Sequence, residues 1–406
     1  MKKTVWIIHQ YASTPENGIG GRHFYLAEEL ARYGYNVYVI AASANHLLHT
    51  QPKLSGDITV EKLHGFNFVW VKMPCYTEAH SKQRAINWFL FPWRIQKLAR
   101  FIADKPDAVL CSSPSLISFF GAQSLARKFE ARLIFEVRDI WPLTLTEIGG
   151  YSENHPLIRF MQWVEKRAYL KSDRVISNLK NSVEHMVRHG LQREKFCWIP
   201  NGYSRAEVEQ EIRLNDLAVR QLPKNKFIVG YAGTLGVSNA LDVLIEAASR
   251  LRDFKDISFV LVGRGKQKKN LYQQVKALGL DSVYFIDAIS KVEVQAMLQE
   301  FDACYIGWRE NKLYQFGIGA NKIPEYLYSA KPIIHSYSGA CEPIKECGAG
   351  LVVPAENPQA VAAAILRLYN MSEVERDRMG ANGRREAEGT YEYGQLARRL
   401  ESVLFG

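Results

Sequence analysis

The stretch "KFIVGYAGTLGVSNALDVLIEAA", residues 226–248, runs from a β-branched apolar segment through Gly233 and Gly236 into a segment of helix length. A strand that gives way at once to a helix is the repeating unit of a parallel sheet, since each crossover between parallel strands needs a connecting helix. On either side of it, the same alternation fills both halves of the chain. The first half offers "VWIIH", "NVYVIAA", "FNFVWV", "AVLCSS", "RLIFEV" and "RVISN"; the second adds "ISFVLVG", "VYFID", "DACYIGW", "KPIIHS" and "AGLVVP". This order predicts an α/β protein of two Rossmann-like domains, each with a parallel sheet covered on both faces by helices. The join is expected just after Pro200, Asn201 and Gly202, a turn followed by a polar stretch, which sets domains of 1–200 and 201–387.

Composition narrows the class. A chain of 406 residues that is 47% hydrophobic can bury a large core, and its length favours two domains or more. No apolar run approaches the ~18 residues that span a bilayer. In "MKKTVWIIHQ" the apolar part is cut short by His9 and Gln10, too early for a secretory signal, so a cytoplasmic protein is expected. Six cysteines without a C-x-x-C pair read as reduced, mostly buried thiols. Residues 1–200 carry 26 Lys and Arg against 17 Asp and Glu, whereas residues 201–406 carry 26 against 25. The basic excess therefore lies in the first half, which either faces an anionic partner or is simply a solvated surface.

Open α/β sheets bind ligands beyond the carboxyl ends of their strands. Four loops there are candidates. Gly18, Gly20 and Gly21 precede an amphipathic helix, and Gly233 and Gly236 occupy the matching place in the second half; backbone N–H groups at either could receive a phosphate, or the glycines could form only a tight turn. Gly263 and Gly265 lead into a helix with a basic first turn. The fourth loop is "GANKIPEYLYSAKPIIHS", residues 319–336. If a helix starts near Asn321, Lys322 and Glu325 share one face while Ile323, Leu327 and Tyr328 pack inward. A lysine beside free N–H groups suits a diphosphate, and a carboxylate one turn on suits paired ribose hydroxyls. The same two residues would also serve as a surface i,i+3 ion pair.

Together "YAGTLGVSNALDVLIEAA", "VLVGRGKQKKNL", "NKIPEYLYSAKPII" and "FEVRDIWP" resemble glycosyltransferase family 4, of GT-B architecture, and within it the WbuB-like bacterial branch of surface-polysaccharide enzymes. The likeness runs over nearly the whole chain. It implies two sheets facing a cleft, a UDP-sugar held by the second domain, an acceptor received by the first, and transfer with retention of configuration. On that match Glu325 binds ribose and Lys322 the diphosphate. Backbone at Gly233, Thr234 and Leu235 assists, and Gly20, Gly21, Gly263, Gly319 and Asn321 complete the donor-binding set. The sugar would be of N-acetylhexosamine or N-acetylfucosamine type. The acceptor would be an undecaprenyl-diphosphate-linked saccharide of O-antigen, lipopolysaccharide or capsule synthesis, met at the inner face of the plasma membrane by a peripherally associated enzyme.

Two departures from the family pattern stand out. The Glu that many members carry eight positions before the ribose-binding one is Gly317 here, and "GTLGVSNALD" offers neither the Arg nor the Lys that often follows the glycine loop. Arg138 and Asp139, after "RLIFEV", fall where many members have a His-Asp pair, so they are the expected catalytic residues: Asp139 near the acceptor hydroxyl, Arg138 near the leaving diphosphate. They could instead be an Arg–Asp pair that fixes the loop before Trp141 and Pro142. The chain has no D-x-D triplet, and no His, Cys and Asp cluster has metal spacing in the sequence, so neither metal nor cofactor is expected.

In "SKQRAINWFLFPWRIQKLARFIA", residues 81–103, Lys82, Arg84, Arg94, Lys97 and Arg100 accompany Trp88, Phe89, Phe91 and Trp93 without one acid. Cations with interfacial aromatics fit an element lying among anionic headgroups, with Arg84, Trp88, Trp93, Arg94, Lys97 and Arg100 as contacts. The plainer expectation is a helix between strands, with Ile86, Phe89, Leu90 and Trp93 in the core. A closing amphipathic helix, 388–406, is expected to cross back onto the first domain. Two other classes stay open: a nucleotide-sugar epimerase of the same architecture, and a basic nucleic-acid-binding protein, the latter disfavoured because no recognition motif occurs.

Overall fold

The computed structural model describes residues 2–76, 82–210 and 212–406, so Ser81 of the basic aromatic segment and Glu211 of the join lie outside the described residues. The chain forms two compact units. The first holds residues 1–201, 316–319 and 393–406, and the second holds 202–315 and 320–392.

The first unit is built on eight strands: β1 (Thr4–Ile8), β2 (Asn36–Ala42), β3 (Ile58–Leu63), β4 (Phe66–Val71), β5 (Ala108–Ser112), β6 (Arg132–Val137), β7 (Arg174–Ser177) and β8 (Phe196–Trp198). They lie in the order β3-β4-β2-β1-β5-β6-β7-β8. All neighbours are parallel except β3 and β4. No helix joins β2 to β4, contrary to the alternation; β3 occupies that connection and pairs with β4 across His64 and Gly65. Both turn residues have positive φ, 42° and 86°, the conformation a two-residue hairpin loop demands.

The second unit carries β9 (Phe227–Ala232), β10 (Ile257–Val262), β11 (Val283–Ile286), β12 (Ala303–Gly307), β13 (Ile333–Ser336) and β14 (Gly350–Val353), all parallel, in the order β11-β10-β9-β12-β13-β14. Residues 226–248 thus supply a central strand and the helix Leu241–Arg250, whose Leu241, Leu244, Ile245 and Ala248 are buried at helical spacing.

Two details of the domain boundaries differ from the sequence reading. The chain returns to the first unit at Tyr393, not 388. There the helix Tyr393–Phe405 buries Leu396, Leu400, Val403 and Leu404, and stacks Tyr393 on Tyr25 and Phe405 on Tyr35, each with ring centroids 5.0 Å apart. Phe316–Gly319 also belongs to the first unit: the Asn181 N–H donates to the Phe316 carbonyl at 3.0 Å, and the Phe316 ring meets His185 edge-on at 5.6 Å.

Candidate functional site

In the second unit a cavity of about 360 Å³ opens where β9, β10 and β11 end. Its walls include Gly233, Thr234, Gly263, Arg264, Lys291, Ile289, Asn321, Lys322 and Glu325. The helix Lys322–Tyr328 is pinned against the end of β9 by Tyr326, whose hydroxyl donates to the Ala232 carbonyl at 3.0 Å and accepts from the Ala232 N–H at 2.8 Å. Ile323, Leu327 and Tyr328 are buried as expected, and so are Pro324 and Tyr326. Lys322 and Glu325 are left facing the cavity.

They do not pair with each other. Glu325 forms an ion pair with Lys291, from the loop after β11, whereas Lys322 Nζ donates to Asn239 Oδ1 at 2.9 Å. The ammonium stands 5.3 Å from the Tyr231 ring centroid and 5.9 Å from that of Trp308. Desolvation lowers the Lys322 pKa to about 8, with Glu325 only partly opposing the shift. A largely desolvated cation whose hydrogen-bonding partner is a neutral amide is a strong anion ligand. Because the helix is only seven residues long, that charge comes from the lysine more than from the helix end.

The glycine loops fit around this lysine. A Cβ on Gly233, whose φ is 153°, would lie 2.5 Å from Lys322 Cε, and one on Gly263 would lie 1.9 Å from the Gly233 carbonyl oxygen. That close packing corrects the expected phosphate grip. Gly233 N–H donates to Val262 at 2.9 Å, Leu235 N–H to Arg264 at 2.9 Å, and Gly263 N–H to Ile286 at 3.0 Å. Leu235 is fully buried. Of the trio Gly233 to Leu235, Thr234 alone keeps its N–H out of these bonds. Three residues around the lysine are absent from the sequence expectation: Asn239, which also donates to the Thr234 carbonyl at 2.9 Å, and the cations Arg264 and Lys291. Arg264 and Lys291 sit on neighbouring loops, so the cations that line the cavity do not show in "GTLGVSNALD" itself.

Gly319, Gly20 and Gly21 are not among the residues that line this cavity; all three belong to the first unit. A Cβ on Gly319 would meet Asn178 Nδ2 at 2.2 Å, and its carbonyl accepts from Asn201 Nδ2 at 2.6 Å. Gly20 and Gly21 have φ of 69° and 84° and lead into the helix Arg22–Arg32; the Gly20 N–H donates to Ser13 Oγ at 3.2 Å. This helix opens with a buried polar cluster absent from the sequence expectation. Arg22 Nε and His23 Nε2 donate to Glu136 at 2.7 and 2.6 Å, and Ser112 Oγ donates to it at 2.5 Å. Glu136 is wholly buried in β6. Burial opposes its ionisation, but Arg22, His23 and Arg138 outweigh that and hold its carboxyl well below the usual value. Burial lowers the His23 pKa, with Glu136 acting in the opposite direction. The signal available in the sequence is a charged residue inside the apolar run "RLIFEV".

Arg138 and Asp139 follow Glu136. They form no salt bridge with each other; the Arg138 N–H is held by Ser113 Oγ at 2.8 Å, and its Nε is buried without a hydrogen-bond partner. Asp139 is solvent-exposed, but protein crowding its carboxyl raises its pKa, with Arg138 acting in the opposite direction.

The helix Lys82–Arg94 inverts the expected core. Asn87, Phe91 and Pro92 are buried, while Ile86, Phe89 and Trp93 are 55%, 52% and 64% exposed. The inner face is set by Gly121 of the facing helix Ser118–Phe129, where a Cβ would lie 2.7 Å from the Pro92 carbonyl, and by Asn87 Nδ2 donating to Pro74 at 2.9 Å. Arg84 and Trp88 point to Tyr11: the Trp88 indole N–H donates to its hydroxyl at 2.7 Å, and Arg84 Nε does so at 3.2 Å. Arg94 bonds the Lys72 carbonyl, Lys97 pairs with Asp57 at 2.7 Å, and Arg100 is exposed. Phe89 continues outward to Phe160 (6.3 Å), which neighbours Trp163 (6.0 Å) on the helix Pro156–Lys171. The result is an exposed aromatic patch drawn from two helices. No helix among the described residues is long and apolar enough to cross a membrane.

Two Rossmann-like units, with a cavity at the strand ends of the second, define the class: an α/β protein of GT-B architecture. Residues 213–386 match the family of glycosyl transferases group 1, and residues 17–202 match the glycosyl transferase 4-like domain. Between them the two matches take in most of the chain, and the protein belongs to this glycosyltransferase family. Among curated relatives, WcaI of Escherichia coli (strain K12), assigned to colanic acid biosynthesis as a glycosyl transferase, is 24% identical over 302 residues, 72% of this chain and 74% of the relative. Among solved structures, sucrose-phosphate synthase from Thermosynechococcus elongatus has a TM-score of 0.72 at 17% identity, covering 99% of this chain and 98% of that one. Anabaena HepE, in complex with UDP and glucose, has a TM-score of 0.65 at 15% identity over 99% of both chains. These structural likenesses show the fold.

Proposed function

We propose that this glycosyltransferase takes a UDP-linked sugar in the cavity of its second unit and transfers the sugar, with retention of configuration, to a lipid-linked saccharide of a bacterial surface polysaccharide. The observation that carries this reading is the pairing of an under-compensated cation, Lys322, with a carboxylate one turn on, Glu325, in one cavity. Lys322, assisted by Arg264 and the Thr234 N–H, meets the diphosphate, and Glu325 exchanges Lys291 for ribose hydroxyls. Fixed charge at the leaving group makes same-face displacement without a catalytic metal the favoured route. The UDP-bound neighbour HepE and the polysaccharide assignment of WcaI support the substrate classes. Asp139 and Arg138 are the candidates for orienting the acceptor.

The exposed aromatics Phe89, Trp93 and Trp163, with Lys97, Arg100 and Arg167 among them, fit an anionic bilayer surface, where a lipid-linked acceptor would be met from the cytoplasmic side. Turnover tests both parts. UDP release from the matching UDP-sugar is expected only when a polyprenyl-diphosphate saccharide in anionic vesicles is present, and reversing Arg94, Lys97 and Arg100 to Glu should slow it there. UDP-sugar conversion without acceptor would instead identify an epimerase, and equal turnover by the reversed variant on vesicles would remove the membrane contact.

A further inference from the structure

We propose that Glu165, His185 and His189 form a binding site for a divalent transition-metal ion of the Zn²⁺ class in the first unit. The proposal does not depend on the reading of the sugar-nucleotide cavity. The helix Pro156–Lys171 presents Glu165, and the helix Ser182–Arg188 presents His185, with His189 one turn further on. Their ligand atoms all lie within 4.8 Å of one another. Glu165 and His185 are buried, and half-buried His189 closes the group toward solvent.

The hydrogen bonds around the group decide which atoms are available. His185 Nε2 lies 2.9 Å from Glu165 Oε1, and the Tyr169 hydroxyl donates to that same oxygen at 2.9 Å. His189 Nδ1 lies 2.8 Å from the His185 carbonyl. A carbonyl can only accept, so Nδ1 carries the proton and the neutral ring keeps its lone pair on Nε2. The two imidazoles stack with centroids 4.0 Å apart. A buried Glu–His pair is complete with two members. The third ring adds nothing to that pair's hydrogen bonds, yet it is held against it with one nitrogen bare. Metal-binding imidazoles are held in the same manner, their second N–H given to a backbone carbonyl.

Two imidazoles and one carboxylate suit Zn²⁺, with water in the fourth position. A tetrahedral ion with bonds of ~2.0–2.2 Å sets its ligand atoms about 3.3–3.6 Å apart. Ligand atoms lying within 4.8 Å of one another therefore close by up to about 1.5 Å, an adjustment of side-chain rotamers. The ion takes the place of the proton on His185 Nε2, which leaves to solvent, and no electron is exchanged. Bound there, it would tie together the two helices beside Phe316, where the chain makes its short return to the first unit. In the sequence His185 and His189 show only as two histidines four apart; Glu165 is twenty residues earlier, and the fold brings it in.

The whole protein, stripped with a chelator and titrated with Zn²⁺ by calorimetry and thermal unfolding, tests the site. One equivalent should bind with proton release and raise the melting midpoint, and Co²⁺ should give the intense visible bands of a tetrahedral N/O site. His189→Ala keeps the Glu165–His185 pair and should lose at least tenfold in Zn²⁺ affinity, with its UDP affinity unaltered. His185→Asn should lose the Co²⁺ bands. Absence of binding by the native protein, or equal Zn²⁺ affinity in native protein and His189→Ala, would overturn the site.

Discussion

The two glycine loops begin alike and end differently. In the first unit, Gly20 and Gly21 are followed by Arg22 and His23, whose side chains turn inward to the buried Glu136. In the second, Gly233 makes room for Lys322, a cation from a separate helix that meets a neutral amide and two aromatic rings. In the first arrangement a buried carboxylate answers the loop's arginine within the protein. The second leaves positive charge to be met by something else. Position at the carboxyl end of a strand therefore does not by itself separate the two loops; the partners of the charges around them do.

Substitution and pH both press on that contrast. The largest effect is expected from Glu136→Ala, which strands Arg22 in the interior: breaking one side of a buried pair costs about 3–5 kcal/mol. Chemical unfolding should show that loss while UDP affinity, measured where the variant is folded, stays as in the native protein. A drop in UDP affinity would mean that the first unit's network is part of the donor site.

The next effect is one of pH. The Lys322 pKa is lowered from its ordinary value to about 8, so above that pH the free protein loses the charge that should meet a diphosphate. UDP affinity should fall by up to about tenfold per unit as the pH rises past this value. Stability should move the opposite way. The unfolded chain binds this proton more tightly than the folded one, so Lys322 destabilises the fold while charged, and that cost fades between about pH 8 and the unfolded value. Lys322→Met should abolish the pH dependence of binding; a native profile in that variant would erase the distinction between the two loops.

Much of this is legible in the sequence, for identifiable reasons. Strands buried on both faces, such as "ISFVLVG", announce themselves as continuous apolar runs. β3, "ITVEKL", at the sheet edge, buries only Ile58 and then alternates half-buried and exposed residues, and its polar half hides it among connections. Lys322 and Glu325 are conspicuous because charges are rare beside a buried helix face. Their neighbours Asn239, Arg264 and Lys291 are not, because each comes from another loop and only the fold brings them together. The helix Lys82–Arg94 reads with its faces exchanged because an asparagine, Asn87, takes an interior place that a hydrophobicity pattern gives to Ile86 or Phe89.

Whether the Lys322–Glu325 cavity holds the nucleotide part of the donor is decided by calorimetric titration of UDP into native protein and Glu325→Ala at neutral pH. Saturable binding is expected from the native protein and no detectable heat of binding from the variant, with both unfolding at similar temperatures. Equal UDP affinity in the two proteins would show that the nucleotide binds elsewhere.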